Sequence, residues 1–126
     1  MPTAAILGAS ADRRKFGNKA VRAHVRQGYT VFPVNPKGGT IEGLPVYTSL
    51  AEAPAGHLDR ISVYLPPAVA VAAMEEIAAR GCGELWLNPG ADAPEVIARA
   101  RELGLEPIVA CSIVDAGSDP HGMPEA

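Results

Sequence analysis

Only two cysteines occur in the 126 residues, Cys82 and Cys111, and they make neither a CxxC pair nor a disulfide framework. Free thiols in a reducing cytoplasm are the expectation. Aromatic residues are scarce, at 5% of the chain, and none is interleaved with basic residues as in a single-strand nucleic-acid groove. Long hydrophobic runs are missing as well. Each apolar passage is broken by a charge or a proline before it reaches membrane-spanning length, so no membrane association is anticipated. The opening MPTAAILGAS has no basic leader, and a cytoplasmic chain is expected. The three histidines, His24, His57 and His121, stand in no HxxxH or HExxH spacing. Neither a metal centre nor a histidine-based catalytic pair is anticipated from them.

The chain is instead rich in glycine and proline, which fall mostly between the apolar segments and punctuate them. Its charge is also unevenly spread. Residues 1–37 hold seven basic groups against Asp12 alone, a net of +6, whereas residues 38–126 hold four basic groups against thirteen acidic ones, a net of −9. A positive field around the first turn suits an anionic ligand. The acidic remainder would repel a long phosphate backbone, which argues against a nucleic-acid partner.

The length fits one domain, expected over residues 1–114, with a flexible tail over 115–126. Thr3–Gly8 is a short apolar stretch ending in glycine and reads as a buried first strand. A polar loop, ASADRRKFGNK, leads into a helical pattern from Asn18, with Val21 and Val25 four apart and Gly28 as the stop. YTVFPV is the second strand, ended by Asn35-Pro36. GLPVY reads as a short extended piece, and SLAEAP as a brief helix capped by Ser49 with Glu52. DRISVYL is the next strand, halted by Pro66-Pro67. The alanine-rich helix after it carries Ala70, Ala73, Met74 and Ile77 on one side. ELWLNPG, a helix opened by an Asp92–Glu95 capping box, and EPIVAC complete the series. The strands read as continuous apolar runs alternating with helices. That pattern predicts a doubly wound α/β fold, a parallel sheet with helices on both faces.

In such a sheet a ligand lies beyond the carboxyl ends of the strands, where the strand order reverses. The residues predicted there are Gly8-Ala9-Ser10, Asn35-Pro36-Lys37, Leu65-Pro66-Pro67, Asn88-Pro89-Gly90 and Cys111. Gly8 permits a sharp turn toward a phosphate, Ser10 offers a hydroxyl, and Gly17 allows close packing where the helix starts. A turn that needs glycine for its own geometry explains Gly8 and Gly17 equally well. The loop GASADRRKFG is neither GxGxxG nor GxxxxGK[ST]. Arg13, Arg14 and Lys15 are candidates for pyrophosphate contact, without an order among them. At the end of the second strand, an NAD-binding domain needs a carboxylate for the ribose hydroxyl. VNPKGG has none, and Lys37 suits a ribose phosphate, which leaves coenzyme A and NADP as candidate cofactors. Leu65, Pro66 and Pro67 make an apolar shelf on which an adenine fits.

These segments carry a family resemblance. ILGAS, GYTVFPVNPKGGTIEGLPVYTSLAEAP, DRISVYLPP, ELWLNPG and EPIVAC, which together cover most of the chain from Ala5 to Cys111, resemble the stand-alone coenzyme A-binding proteins. Those proteins are similar to the N-terminal Rossmann-like domain of the succinyl-CoA synthetase alpha subunit. The resemblance implies a five-stranded Rossmann-like sheet that binds coenzyme A. It implies phosphates at Gly8, Ser10 and the loop through Arg14, and the ribose phosphate near Asn35, Pro36 and Lys37. The adenine would lie by Val63, Leu65, Pro66 and Pro67, and the route to the thiol by Asn88, Pro89 and Gly90. This chain departs from the synthetase in its first loop, SADRRKFG in place of a more glycine-rich turn. Its length also leaves no room for the second domain, in which the synthetase carries a phosphorylated histidine.

Ligase chemistry is therefore not expected, and the first functional class is a non-catalytic binder of coenzyme A or acyl-CoA acting as carrier, sensor or regulatory module. A small NADP-dependent reductase and a structural interaction domain are the alternatives. A homodimer or a separate protein partner is left open. Cys111, following a strand at the rim, is expected to be a buried core thiol, with disulfide exchange as its alternative role.

Overall fold

The computed structural model describes residues 1–54 and 56–126. In chain order the elements are β1 (Thr3–Leu7), α1 (Phe16–Arg26), β2 (Thr30–Val34), β3 (Thr40–Ile41) and β4 (Leu44–Pro45), then a 3-10 turn at Leu50–Glu52. β5 (Arg60–Val63), α2 (Pro67–Arg80), β6 (Glu84–Leu87), α3 (Pro94–Glu102), β7 (Ile108–Val109) and α4 (Ser112–Asp115) follow. Five strands form one parallel sheet in the order β2-β1-β5-β6-β7, while β3 and β4 pair as a separate antiparallel hairpin. After β2 the chain crosses back over β1 to place β5 on the other side. The strand order reverses there, between β1 and β5, and this is the switch point of the Rossmann-like sheet.

Successive residues of a strand point to opposite faces, and β1 divides accordingly. Ala5 and Leu7 join a core with Met74 and Ile77 of α2 and Val96 and Ala100 of α3. Ile6 joins a second core with Ala20, Val21 and Ala23 of α1 and Ile113 of α4. Each fully buried Ile, Leu or Val in these layers contributes about 1.5–3 kcal/mol through removal of apolar surface from water. Helices thus cover both faces, as expected.

The expectation of continuous apolar strands fails at β5. Ile61 and Val63 enter the α2–α3 core, but Arg60 and Ser62 are buried on the other face. That face is polar. Asn88 donates to Ser62 Oγ at 2.8 Å and to the Val63 carbonyl at 2.9 Å, and its Oδ1 accepts from Ser112 N at 2.8 Å. The Ser112 hydroxyl lies 2.6 Å from Ser62 Oγ and 3.0 Å from Tyr64 Oη. Beside it, Arg60 donates to Asp115 Oδ2 at 2.6 Å and to Glu84 Oε1 at 3.0 Å, and lies over the Trp86 ring, 4.5 Å from its centroid. The network satisfies groups that burial would otherwise penalise.

Several local readings are revised. α1 starts at Phe16, two residues before the expected Asn18. α3 has no side-chain cap, because Asp92 Oδ1 accepts instead from Gly90 N at 3.2 Å. Glu52 does not close a box with Ser49 but accepts from Thr48 Oγ1 at 2.6 Å. Residues after Val114, expected as a loose tail, lie against α1: buried Lys19 donates to the Pro120 carbonyl at 2.8 Å and to Glu125 Oε2 at 2.6 Å. Among the described residues, no helix is long and apolar enough to cross a membrane.

Candidate functional site

β1 ends in a turn that a side chain would block. Gly8 has φ of +83°, and a Cβ on it would run into the Tyr64 carbonyl at the end of β5. Gly17, in the first turn of α1, backs onto Gly8, and a Cβ there would collide with the Gly8 carbonyl oxygen. The two glycines let α1 start directly on the β1 turn, so a helix N-terminus arrives at the switch point. No side chain caps that helix; Asn18 N and Lys19 N donate to the Lys15 carbonyl at 3.1 Å, and the Phe16 and Gly17 N–H groups, without an acceptor among the described residues, keep their capacity for an anion.

A cleft of about 710 Å³ opens between these elements. Of the expected residues, Gly8, Ala9, Ser10, Lys15, Gly17, Asn35, Lys37, Leu65, Pro66, Pro89 and Gly90 line it. The structure separates the three loop cations that sequence left unordered. Arg14 is engaged by Asp12, donating from Nε at 3.0 Å and from Nη2 at 2.9 Å. Those bonds hold the Asp12 carboxyl down at about 2. Arg13 does not line the cleft, and its carbonyl accepts from Arg22 at 3.0 Å. Lys15 does line it, and neither its side chain nor that of Lys37 makes a hydrogen bond or ion pair with the described residues, though the Lys15 charge also acts on the Asp12 carboxyl.

Other expected residues stand behind the wall. Val63 and Asn88 are wholly buried, one in the α2–α3 core and the other in the polar network. Pro67 is the first residue of α2, where a proline's missing N–H is harmless, and Pro36 is exposed in the turn after β2. Cys111 is outside the cleft and half-buried rather than buried. It precedes α4 after β7, two strands from β5, and packs against the α1-side core.

Two backbone donors expected to face a phosphate have other acceptors: Gly8 N and Ala9 N both donate to the Val34 carbonyl, at 3.2 and 3.3 Å. Asn35 is similarly engaged. Its Nδ2 donates to the Ala9 carbonyl at 2.8 Å and its Oδ1 accepts from Lys37 N at 2.8 Å. Asn35 thus ties the β1 turn to the β2 turn and fixes the backbone from which Lys37 projects.

Ala11 and Asp12 of the loop through Arg14 also line the cleft, and sequence reasoning missed Phe16, Gly38, Thr40, Ile41, Tyr64 and Ala91. Thr40 and Ile41 arrive through the β3–β4 hairpin, whose turn residues Glu42 and Gly43 have φ of +49° and +78°. An X-Gly pair between apolar flanks is a hairpin signal, and it was available in TIEGLP. Among the described residues, no three His, Cys, Asp or Glu are grouped to hold a metal ion, and no histidine lines the cleft.

Sheet order and cleft position place the chain in the class of Rossmann-like doubly wound α/β domains, whose ligands bind at the switch point. Within that class it belongs to the CoA binding domain family, whose model matches residues 2–116. It is 32% identical over 81 residues to a trans-feruloyl-CoA synthase from an unknown prokaryotic organism. That match covers 63% of this chain but 11% of the synthase. A conserved hypothetical protein from Pyrococcus furiosus superposes with a TM-score of 0.79 at 31% identity, covering 91% of this chain and 99% of that one. The dinucleotide-forming acetyl-coenzyme A synthetase 1 of Candidatus Korarchaeum cryptofilum shares the fold over 86% of this chain and 25% of its own, with a TM-score of 0.71 at 21% identity.

Proposed function

We propose that this chain is a non-catalytic module that binds coenzyme A or an acyl-CoA across the carboxyl ends of β2, β1, β5 and β6. The observation that carries the reading is the pair of lysines, Lys15 and Lys37, free of hydrogen bonds and ion pairs among the described residues, on a cleft whose remaining wall includes Ile41, Leu65 and Pro66. Separated phosphates need separated cations, and an adenine needs an apolar shelf. In this reading Lys15 and the uncapped start of α1 hold the pyrophosphate, with the Ser10 hydroxyl as a further donor. Lys37 holds the ribose phosphate, Leu65 and Pro66 carry the adenine, and Pro89 and Gly90 border the arm that ends in the thiol. Membership of the CoA binding domain family supports the choice of ligand. Carrier, sensor and regulatory roles are all served by such a module.

Calorimetric titration with coenzyme A, dephospho-coenzyme A, NADP and NAD tests the proposal. Saturable coenzyme A binding is expected, weakened by loss of the 3′-phosphate or by Lys37→Ala. Each change removes one charge-assisted contact worth about 1.5–3 kcal/mol, roughly tenfold or more in Kd. NADP binding without coenzyme A binding would instead support the reductase reading.

A further inference from the structure

A second groove, of about 480 Å³, runs between α1 and the C-terminal segment at residues 117–124, and shares no lining residue with the switch-point cleft. Three arginines line this groove. Arg22 and Arg26 lie four apart on α1 and so share one flank of the helix, and Arg13 reaches the same groove from the preceding loop. Arg22 is fixed in place, its Nε donating to Asn18 Oδ1 at 2.7 Å and its Nη2 to the Arg13 carbonyl at 3.0 Å. Its Nη1 is left without an acceptor among the described residues. Arg26 makes no hydrogen bond or ion pair with them. Arg13 Nε is shut off from solvent without an acceptor, and the carboxylate oxygen paired with it, Glu42 Oε2, is 3.9 Å away. The facing wall has one acid, Asp119, whose Oδ1 accepts from His121 N at 3.0 Å.

Solvation accounts for Arg26, which is exposed, but not for Arg13 Nε, which is buried without a hydrogen-bond acceptor. Burial first, and then the Arg13 charge, push Arg22 below its ordinary value against the opposing pull of Glu42 and Glu125, and a bound anion would add to that pull. Arginine forks match the tetrahedral oxygens of phosphate and grip it through paired N–H groups. We infer that this groove is a second ligand site, which takes a phosphate dianion, free or as a small phosphate monoester, on Arg22 and Arg26 with Arg13 behind them.

Amide-resonance titrations test it, with inorganic phosphate and glycerol 3-phosphate in separate arms and malonate as the carboxylate control, all at constant ionic strength. Saturable shifts are expected at Arg22, Arg26 and residues 117–122. Response to both phosphates assigns a monoester-accepting site, and response to inorganic phosphate alone assigns a free-phosphate site. Arg26→Gln, which breaks no observed contact, should weaken binding about tenfold and leave coenzyme A titration and thermal unfolding unchanged. Arg22→Lys keeps the charge, loses the fork, and should weaken binding comparably. Shifts that do not saturate, that survive Arg26→Gln undiminished, or that malonate reproduces at equal concentration would overturn the inference.

Discussion

Replacing Gly17 by alanine sets two effects of opposite sign against each other. Alanine is the better helix former, by about 1 kcal/mol in a helix interior. Position 17 lies in the first turn of α1, where part of that gain applies. Against it stands the contact with β1: the added Cβ would overlap the Gly8 carbonyl oxygen and lie 3.1 Å from the Gly8 carbonyl carbon and 3.4 Å from Ala9 Cα. All three atoms belong to backbone, so no side chain can swing aside. Overpacking of this kind costs about 1–3 kcal/mol. The structure has little freedom to relax, because the Gly8 and Ala9 N–H groups are tied to Val34 and the Ala9 carbonyl to Asn35. Packing wins, and Gly17→Ala is expected to lose about 1–2 kcal/mol of stability. That corresponds to a fall of about 4–8 °C in Tm for a domain of this size. Coenzyme A affinity should fall with it, since the start of α1 is displaced from the switch point. Denaturant unfolding followed by circular dichroism measures the first effect and calorimetry the second. A Gly17→Ala protein as stable as the wild type, with unchanged affinity, would refute the packing argument and reduce Gly17 to a residue of local convenience.

Asn88→Ala is expected to cost about 2–4 kcal/mol, because it strands the buried Ser112 N–H and removes two further bonds; denaturant unfolding reads this, and a loss under 0.5 kcal/mol would contradict it. His24 is buried, donates from Nδ1 to the Ala20 carbonyl at 2.7 Å, and accepts at Nε2 from Arg60 at 3.4 Å. Burial lowers its pKa in the folded state from 6.5, so the unfolded chain takes up the proton first. Stability should therefore fall as pH drops below about 6.5, by at most about 1.4 kcal/mol per pH unit; a flat profile between pH 6.5 and 5 would sink that assignment. Burial pushes the Cys82 thiol up from 9.0 to about 11. In Cys111→Ser protein the remaining thiol should alkylate about a hundredfold more slowly at pH 8 than a free thiol of ordinary pKa, a rate that iodoacetamide labelling measures.

Much of this architecture is written in local pattern. The glycine at the end of β1, the Asn35-Pro36 turn, and the proline and glycine bounding α2 each specify a backbone event within a few residues. The long-range order between them follows from the handedness of crossovers. Lys37 was legible for that reason: whatever follows β2 must project at the carboxyl edge. The polar side of β5 was equally present in DRISVYL, where Arg60, Ser62 and Tyr64 alternate with Ile61, Val63 and Leu65. Reading the run as uniformly apolar concealed Tyr64 as a cleft residue and Asn88 as part of a network. What no local pattern carries is which partner a polar group finds across the fold. Arg14 and Lys15 are adjacent cations in the sequence, and Asp12 captures one and leaves the other to the cleft. The docking of residues after Val114 on Lys19 likewise depends on a contact 106 residues distant.

The most direct test of the central claim is the location of coenzyme A in a crystal of the complex. The account expects the pyrophosphate at the start of α1 beside Ser10 and Lys15, the ribose phosphate in ion-pair distance of Lys37, and the adenine against Leu65 and Pro66. Coenzyme A bound elsewhere, or with its phosphates turned away from both lysines, would contradict it.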